Sequence, residues 1–212
     1  MASIDEIEIA DEPQRWAALG FRLDGDVCRL AGVDVRLSGA QEGEGVRGWS
    51  LRDIATEDLD GLATVRSVAP VRAPALPHPN GVVAIDHVVA FSPDLDRTVG
   101  VLRKAGLDLR RIREEPTPAG APRQAFFRLG REILEVVQVP EKVLAERGGA
   151  DGPAGLWGLA LLADDVDAAA ASIPGAGEPR DAVQPGRRIV TLGRAAGLAV
   201  PVALISRGAG AA

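Results

Sequence analysis

One plan recurs along this chain, and it limits what the chain can fold into more than any single motif does. Ile85-Asp86-His87-Val88-Val89-Ala90-Phe91 reads as a strand, with Ile85, His87, Val89 and Phe91 alternating onto one face. The spacing then turns helical through Leu95, Val99 and Leu102, with Ser92 as N-cap, Pro93 at the first helical position and Gly106 as the stop. A weaker strand at Leu109 to Arg113 follows, and then the hairpin Gln124 to Gly130 and Arg131 to Val137. The same order appears near the N-terminus, from Ile4 to Ile9 through a short helix closed by Gly20 to Val33 to Leu37. It appears again from Leu156 to Leu162 through an alanine-rich helix opened by Asp164-Asp165-Val166-Asp167 to Pro201 to Ser206. Internal repetition fixes architecture. The expectation is an α+β fold of β-α-β-β-β units at about residues 3–38, 83–139 and 155–206.

Val71 to Gly81 carries three prolines and an Asn-Gly turn signal, which neither a helix nor a central strand accommodates. It divides the chain into residues 1–70, a linker at 71–81 and a two-module domain at 82–208. Residues 1–70 hold one incomplete module and, from Gly48-Trp49 to Glu57-Asp58-Leu59-Asp60, the opening of a further module that stops short. A second connection, Glu146 to Gly152, separates the two later modules.

The formal charge of −6, with no basic stripe bearing aromatics, argues against nucleic acid or an anionic membrane as partner. A small molecule is expected instead. Cys28 is the single cysteine, so no internal disulfide or thiolate cluster can form. The N-terminus is acidic and carries no charged-then-apolar leader pattern, and apolar runs such as Leu156 to Ala163 are too short to span a bilayer. The reading is a cytoplasmic protein.

The residues Ile85-Asp86-His87-Val88-Val89, the helix start Pro93-Asp94-Leu95-Asp96, and Phe127-Arg128-Leu129-Gly130 leading into Ile133-Leu134-Glu135-Val136-Val137 resemble the vicinal oxygen chelate superfamily, the glyoxalase/bleomycin-resistance/dioxygenase family. The resemblance covers residues 82–206 directly and residues 3–62 through the internal repeat. It implies paired modules whose curved mixed sheets form a bowl around a ligand. It also implies, in metal-dependent members, one ligand from the first strand and one from the last strand of each module. By position the central module then offers His87 and Glu135, side chains suited to a divalent metal. The last module offers Gly158 and Ala203, or Leu204 with a one-residue slip, and neither arrangement can coordinate. The first offers Glu6 and Arg36, and an arginine stays protonated, so Glu6 alone could be a third ligand. No tightly bound cofactor is expected, with a divalent metal as the alternative.

His87 and Glu135 therefore carry three readings: a satisfied buried pair, a metal site, or an acid/base or hydrogen-bonding pair facing a ligand. His78 reads as a solvated turn residue. Of Phe126 and Phe127, which alternate across a strand, one lines the bowl and the other the core, and Phe127 is taken as the ligand contact. Trp157, at a strand position comparable with that of Trp49, is a second contact; core packing is the commoner use of such rings. Arg123 and Arg188 at strand starts would clamp a ligand carboxylate, against the commoner solvated strand end. Gly39 and Gly43-Glu44-Gly45 read as a hairpin loop rather than a phosphate loop, and Asp164 to Asp167 as a helix start rather than a calcium loop. No serine or cysteine nucleophile can be joined convincingly to His87.

Two functions follow. The first is a ligand-binding protein of the resistance type that uses the bowl of residues 82–206. The alternative is a metal-dependent lyase, isomerase or dioxygenase working through His87 and Glu135. The incomplete N-terminal half would cover the complete domain or serve as a homodimer contact.

Overall fold

A computed structural model of the chain describes residues 1–39, 45–73, 76–117, 120–146 and 149–208. Its elements are β1 (Ser3–Ile9), α1 (Pro13–Ala18), β2 (Val27–Leu30), β3 (Val33–Leu37), β4 (Val46–Arg52) and β5 (Thr64–Arg66). The central module follows as β6 (Val82–Ser92), α2 (Leu95–Lys104), β7 (Asp108–Arg113), β8 (Gln124–Leu129) and β9 (Glu132–Gln138). After α3 (Glu141–Glu146) come β10 (Gly155–Ala163), α4 (Val166–Ser172), β11 (Arg180–Asp181), β12 (Arg188–Leu192) and β13 (Val202–Ser206). The strands form two curved mixed sheets of order β2-β3-β1-β4-β5 and β11-β12-β13-β10-β6-β9-β8-β7. Residues 67–73 and 76–81 contain neither helix nor strand. Pro74 and Ala75 of the linker and Gly43 and Glu44 of the glycine run lie outside the described residues.

The first and last strands of each module lie side by side and parallel: β1 with β3, β6 with β9, and β10 with β13. The last strand also pairs antiparallel with its hairpin partner, as in β2–β3, β8–β9 and β12–β13. β4 and β5 are parallel too, joined by turns where the other modules have a helix.

One compact unit comprises Met1–Asp5, Gly48–Ala69 and His87–Trp157. Its core takes Val88 and Ala90 of β6, Phe127 of β8, Leu134 and Val136 of β9, and Leu95 and Leu102 of α2, all at most 1% exposed. Burying a leucine of this kind contributes about 1.5–3 kcal/mol. The α2 cap is Asp94 rather than the expected Ser92: its carboxylate accepts from Arg97 N at 3.0 Å, while Ser92 closes β6 and accepts from Asp94 N at 3.1 Å. The aspartate is the residue placed to reach the free third amide of the helix, an interaction worth about 1 kcal/mol. Asp165 caps α4 in the same way. Asp60, in the turns after β4, binds Arg97 and Thr98 of α2 through its carboxylate, and its carbonyl accepts from Ala154 N at 2.8 Å. These turns thereby tie α2 to the segment leading into β10.

The other unit comprises Glu6–Arg47, Pro70–Asp86 and Gly158–Ala212. Ile7, Ile9, Trp16, Leu30, Leu37 and Leu204 are fully buried there. The expected solvated turn residue His78 is in fact 6% exposed. Its Nδ1 accepts from Arg22 N at 2.9 Å and its Nε2 lies 3.0 Å from the Arg29 carbonyl. Burial, the larger influence, holds its pKa below the ordinary 6.5. The neutral ring, one nitrogen donating and one accepting, satisfies both neighbours.

Candidate functional site

The strands of the central module place the sequence-predicted residues on two different faces. Val88, Ala90, Phe127, Leu134 and Val136 point into the core, whereas His87, Val89, Phe91, Phe126, Ile133 and Glu135 are only half-buried. Cross-strand register defines the open face in rows. Gln124, Val137 and Phe91 form one row, Phe126, Glu135 and Val89 the next, and Arg128, Ile133 and His87 the third.

His87 and Glu135 sit one diagonal step apart on the parallel strands β6 and β9, since His87 is opposite Ile133. Their Nε2 and Oε2 atoms are 3.3 Å apart, with side chains 16% and 15% exposed. The Gln124 side-chain amide donates to the other oxygen, Oε1. An imidazole beside an oriented carboxylate can hold or move a proton, or hydrogen-bond a bound molecule.

The same diagonal can be followed through the other modules. In β1–β3, Glu6 is opposite Asp34, and two residues further along comes Arg36. There the diagonal is a closed pair: Arg36 Nε and Nη2 donate to the two Glu6 oxygens at 3.0 and 2.8 Å. In β10–β13, Leu159 is opposite Val202, so Gly158 stands opposite Pro201 and the diagonal falls on Ala203; Leu204 points into the core. A Cβ on Gly158 would come within 2.6 Å of the Pro201 carbonyl oxygen, so close strand approach requires glycine here. Gly48 repeats this against Ala63 at 2.8 Å, and Trp49 N and Leu159 N donate to the Ala63 and Pro201 carbonyls alike at 3.0 Å.

That correspondence places Trp49 level with Leu159, so Trp49 and Trp157 are not equivalent. Trp49 is 3% exposed and donates to Thr64 Oγ1 at 2.7 Å, whereas Trp157 is 45% exposed. Trp157 packs on Phe91 with ring centres 5.0 Å apart. The two rings line a groove of about 340 Å³ together with Pro93, Val139, Leu144 and Leu156. Phe91 shares its strand face with His87, so the apolar groove continues the polar face.

Other expected contacts are placed elsewhere. Phe127 is fully buried opposite Leu134, so Phe126 is the ring on the His87 face. Strand alternation separated the two rings, and the signal for their direction lay in their neighbours: Phe126 shares its face with Gln124 and Arg128, Phe127 with Ala125 and Leu129. Arg123 is held by Glu114 at 2.7 and 3.0 Å and by Asp96 at 2.9 Å, and those hydrogen bonds raise its pKa and lower that of Glu114. Arg188, in the second unit, is held by Asp167 and Asp181. Neither guanidinium is presented as a ready clamp. Cys28 is buried, and burial, reinforced by Asp34, pushes its thiol up to about 12, so it stays protonated and poorly nucleophilic.

A resident metal with four protein ligands does not fit these residues. Two of the four stations, Gly158 and Ala203, have no side-chain donor, and both Glu6 oxygens accept from Arg36. Among the described residues no group of three or more His, Cys, Asp or Glu side chains could hold an ion. Among those residues, too, no helix is long and apolar enough to cross a membrane.

No protein-family model and no curated protein matches the chain. Solved structures do. A methylmalonyl-CoA epimerase from Mycobacterium tuberculosis aligns with a TM-score of 0.50 and 19% identity over 61% of this chain and 91% of that one. A Streptomyces coelicolor methylmalonyl-CoA epimerase variant in complex with 2-nitronate-propionyl-CoA aligns at 0.48 and 26% identity, over 60% and 99%. A hypothetical protein from Bacillus halodurans aligns at 0.47 and 14%, over 60% and 96%. The first of these likenesses, with the repeated modules and the two curved mixed sheets, gives the chain a glyoxalase-like fold.

Proposed function

We propose that the chain binds a small organic molecule on the open face of the central module, without a full set of metal ligands. The observation that carries this reading is the continuity of the His87–Glu135 pair, at 3.3 Å, with the apolar groove ending in Phe91 and Trp157. A cavity of a few hundred Å³ with apolar walls and a few convergent polar groups is the usual form of a small-ligand site. Phe126, Phe91 and Trp157 would take the apolar body, while His87, Glu135 and Gln124 would orient its polar atoms. The test is titration with anilinonaphthalene sulfonate as the probe. Saturable one-site binding, weakened about tenfold in Trp157→Ala, supports the reading; no saturable binding, or binding unchanged by Trp157→Ala, overturns it.

The same pair favours a second reading, a lyase, isomerase or dioxygenase in which His87 and Glu135 are two of the ligands of a divalent ion that would polarise substrate oxygens. Elemental analysis of dialysed protein, with His87→Ala as control, checks it: one equivalent lost in the variant puts this reading first. The activity named for the Mycobacterium tuberculosis neighbour, epimerisation of methylmalonyl-CoA, is the first one to assay.

A further inference from the structure

The open face has a cationic margin on β7. Arg111 stands opposite Phe126 and Arg113 opposite Gln124, so cross-strand pairing puts both arginines on the face that carries Glu135. Arg111 is exposed, and its guanidinium carbon lies 5.8 Å from the centre of the Phe126 ring, so its side chain lies back across the sheet rather than away from it. Arg113 Nε is buried and donates to no acceptor among the described residues; Glu115, with a side chain 83% exposed, is 3.7 Å away. Arg123, by contrast, is held by two acids through three hydrogen bonds. In a protein of formal charge −6 a bound anion is repelled overall, so a local pair of lightly engaged guanidinium groups matters.

Resting on the ligand-binding reading, we infer that this face selects an amphipathic organic acid, with its carboxylate at Arg111 and Arg113 and its apolar body extending over Phe126 and Val137 toward Phe91 and Trp157. Four adjacent strands, β7-β8-β9-β6, separate the two ends, three spacings of roughly 4.8 Å each. That span of about 14 Å suits an extended medium-chain fatty acid. Planar guanidinium groups pair with carboxylate in a geometry that a neutral amide cannot reproduce.

Calorimetric titration of the full chain with decanoate and its neutral isostere decanamide tests the inference. The acid is expected to bind at least about tenfold more tightly than the amide, and this preference should fall to about twofold or less in Arg111→Gln/Arg113→Gln. The single exchange Arg111→Gln, at an exposed position, should give an intermediate preference, and the amide affinity should stay the same in all three proteins. Equal affinities in the wild type, both weakened in Trp157→Ala, would overturn the carboxylate end while leaving the ligand-binding reading standing. A preference that survives the double exchange would also overturn it. Absence of binding by either compound would overturn the inference, and the anilinonaphthalene sulfonate titration then decides whether the ligand-binding reading falls with it.

Discussion

The diagonal His87–Glu135 and the diagonal Glu6–Arg36 occupy the same step between the first and last strands of their modules, yet they behave differently. Arg36 donates to both oxygens of Glu6 and is further held by Asp26, so that pair is closed on itself. His87 Nε2 meets one Glu135 oxygen, Gln124 donates to the other, and the pair shares its strand face with half-buried Phe126 and Phe91. Backbone register therefore sets where two side chains meet, while their chemistry decides which contacts they make; in the function proposed above, the His87–Glu135 pair is the one that serves a ligand. The third module carries the comparison to its limit, with Gly158 and Ala203 at the same stations and no polar group at all.

Filling the empty diagonal should have the largest effect. Gly158→His cannot restore a ligand station, because its Cβ would meet the Pro201 carbonyl; overpacking of this kind costs about 1–3 kcal/mol or more. Urea unfolding should show that loss, and a variant as stable as wild type would mean that the close strand approach is not obligatory. Opening the groove comes next. Trp157→Ala should weaken probe binding about tenfold, about 1.4 kcal/mol, with little change in stability because the indole is 45% exposed. His87→Ala should weaken probe binding several-fold in the same titration, whereas Arg36→Ala should leave it unchanged. Equal effects of the two exchanges would dissolve the contrast between open and closed pairs. On stability, Arg36→Ala should cost at most about 1 kcal/mol, since the Arg36 side chain is 40% exposed and solvent screens the pair.

The smallest expected effect is a pH dependence from His78. Its folded pKa lies below the unfolded value of 6.5, so the unfolded chain binds more protons in the interval between them. The stabilisation is therefore present in full above the unfolded value and is lost as pH falls below it toward the folded value. Urea midpoints measured downward from neutral pH should fall more steeply in wild type than in His78→Gln, and parallel profiles would remove His78 from the account.

Much of the fold was legible in the residues. Period-two runs such as Ile85 to Phe91, the helical spacing of Leu95, Val99 and Leu102, and the proline linker mark elements through local geometry alone. The family resemblance also implied the pairing of His87 with Glu135 and of Gly158 with Ala203. Less of the site was legible. Two alternate positions in the strand Asp108 to Arg113 put Arg111 and Arg113 on one face, a signal visible in the sequence but meaningless without the partner strand β8.

What the sequence determined by itself is order and repetition, because strand and helix periodicities and the turn chemistry of glycine and proline are properties of neighbouring residues. Tertiary structure alone decided the phase. β6 is largely apolar on both faces, so alternation shows that His87, Val89 and Phe91 travel together but not that Val88 and Ala90 take the core. It likewise decided that His78 is enclosed by Arg22 and Arg29, and that Arg123 is held by Glu114 and Asp96 while Arg113 Nε is not so held. His78 and Arg29 are separated by 49 positions and Arg123 and Asp96 by 27, and no local pattern encodes a partner that only chain folding brings within hydrogen-bonding distance.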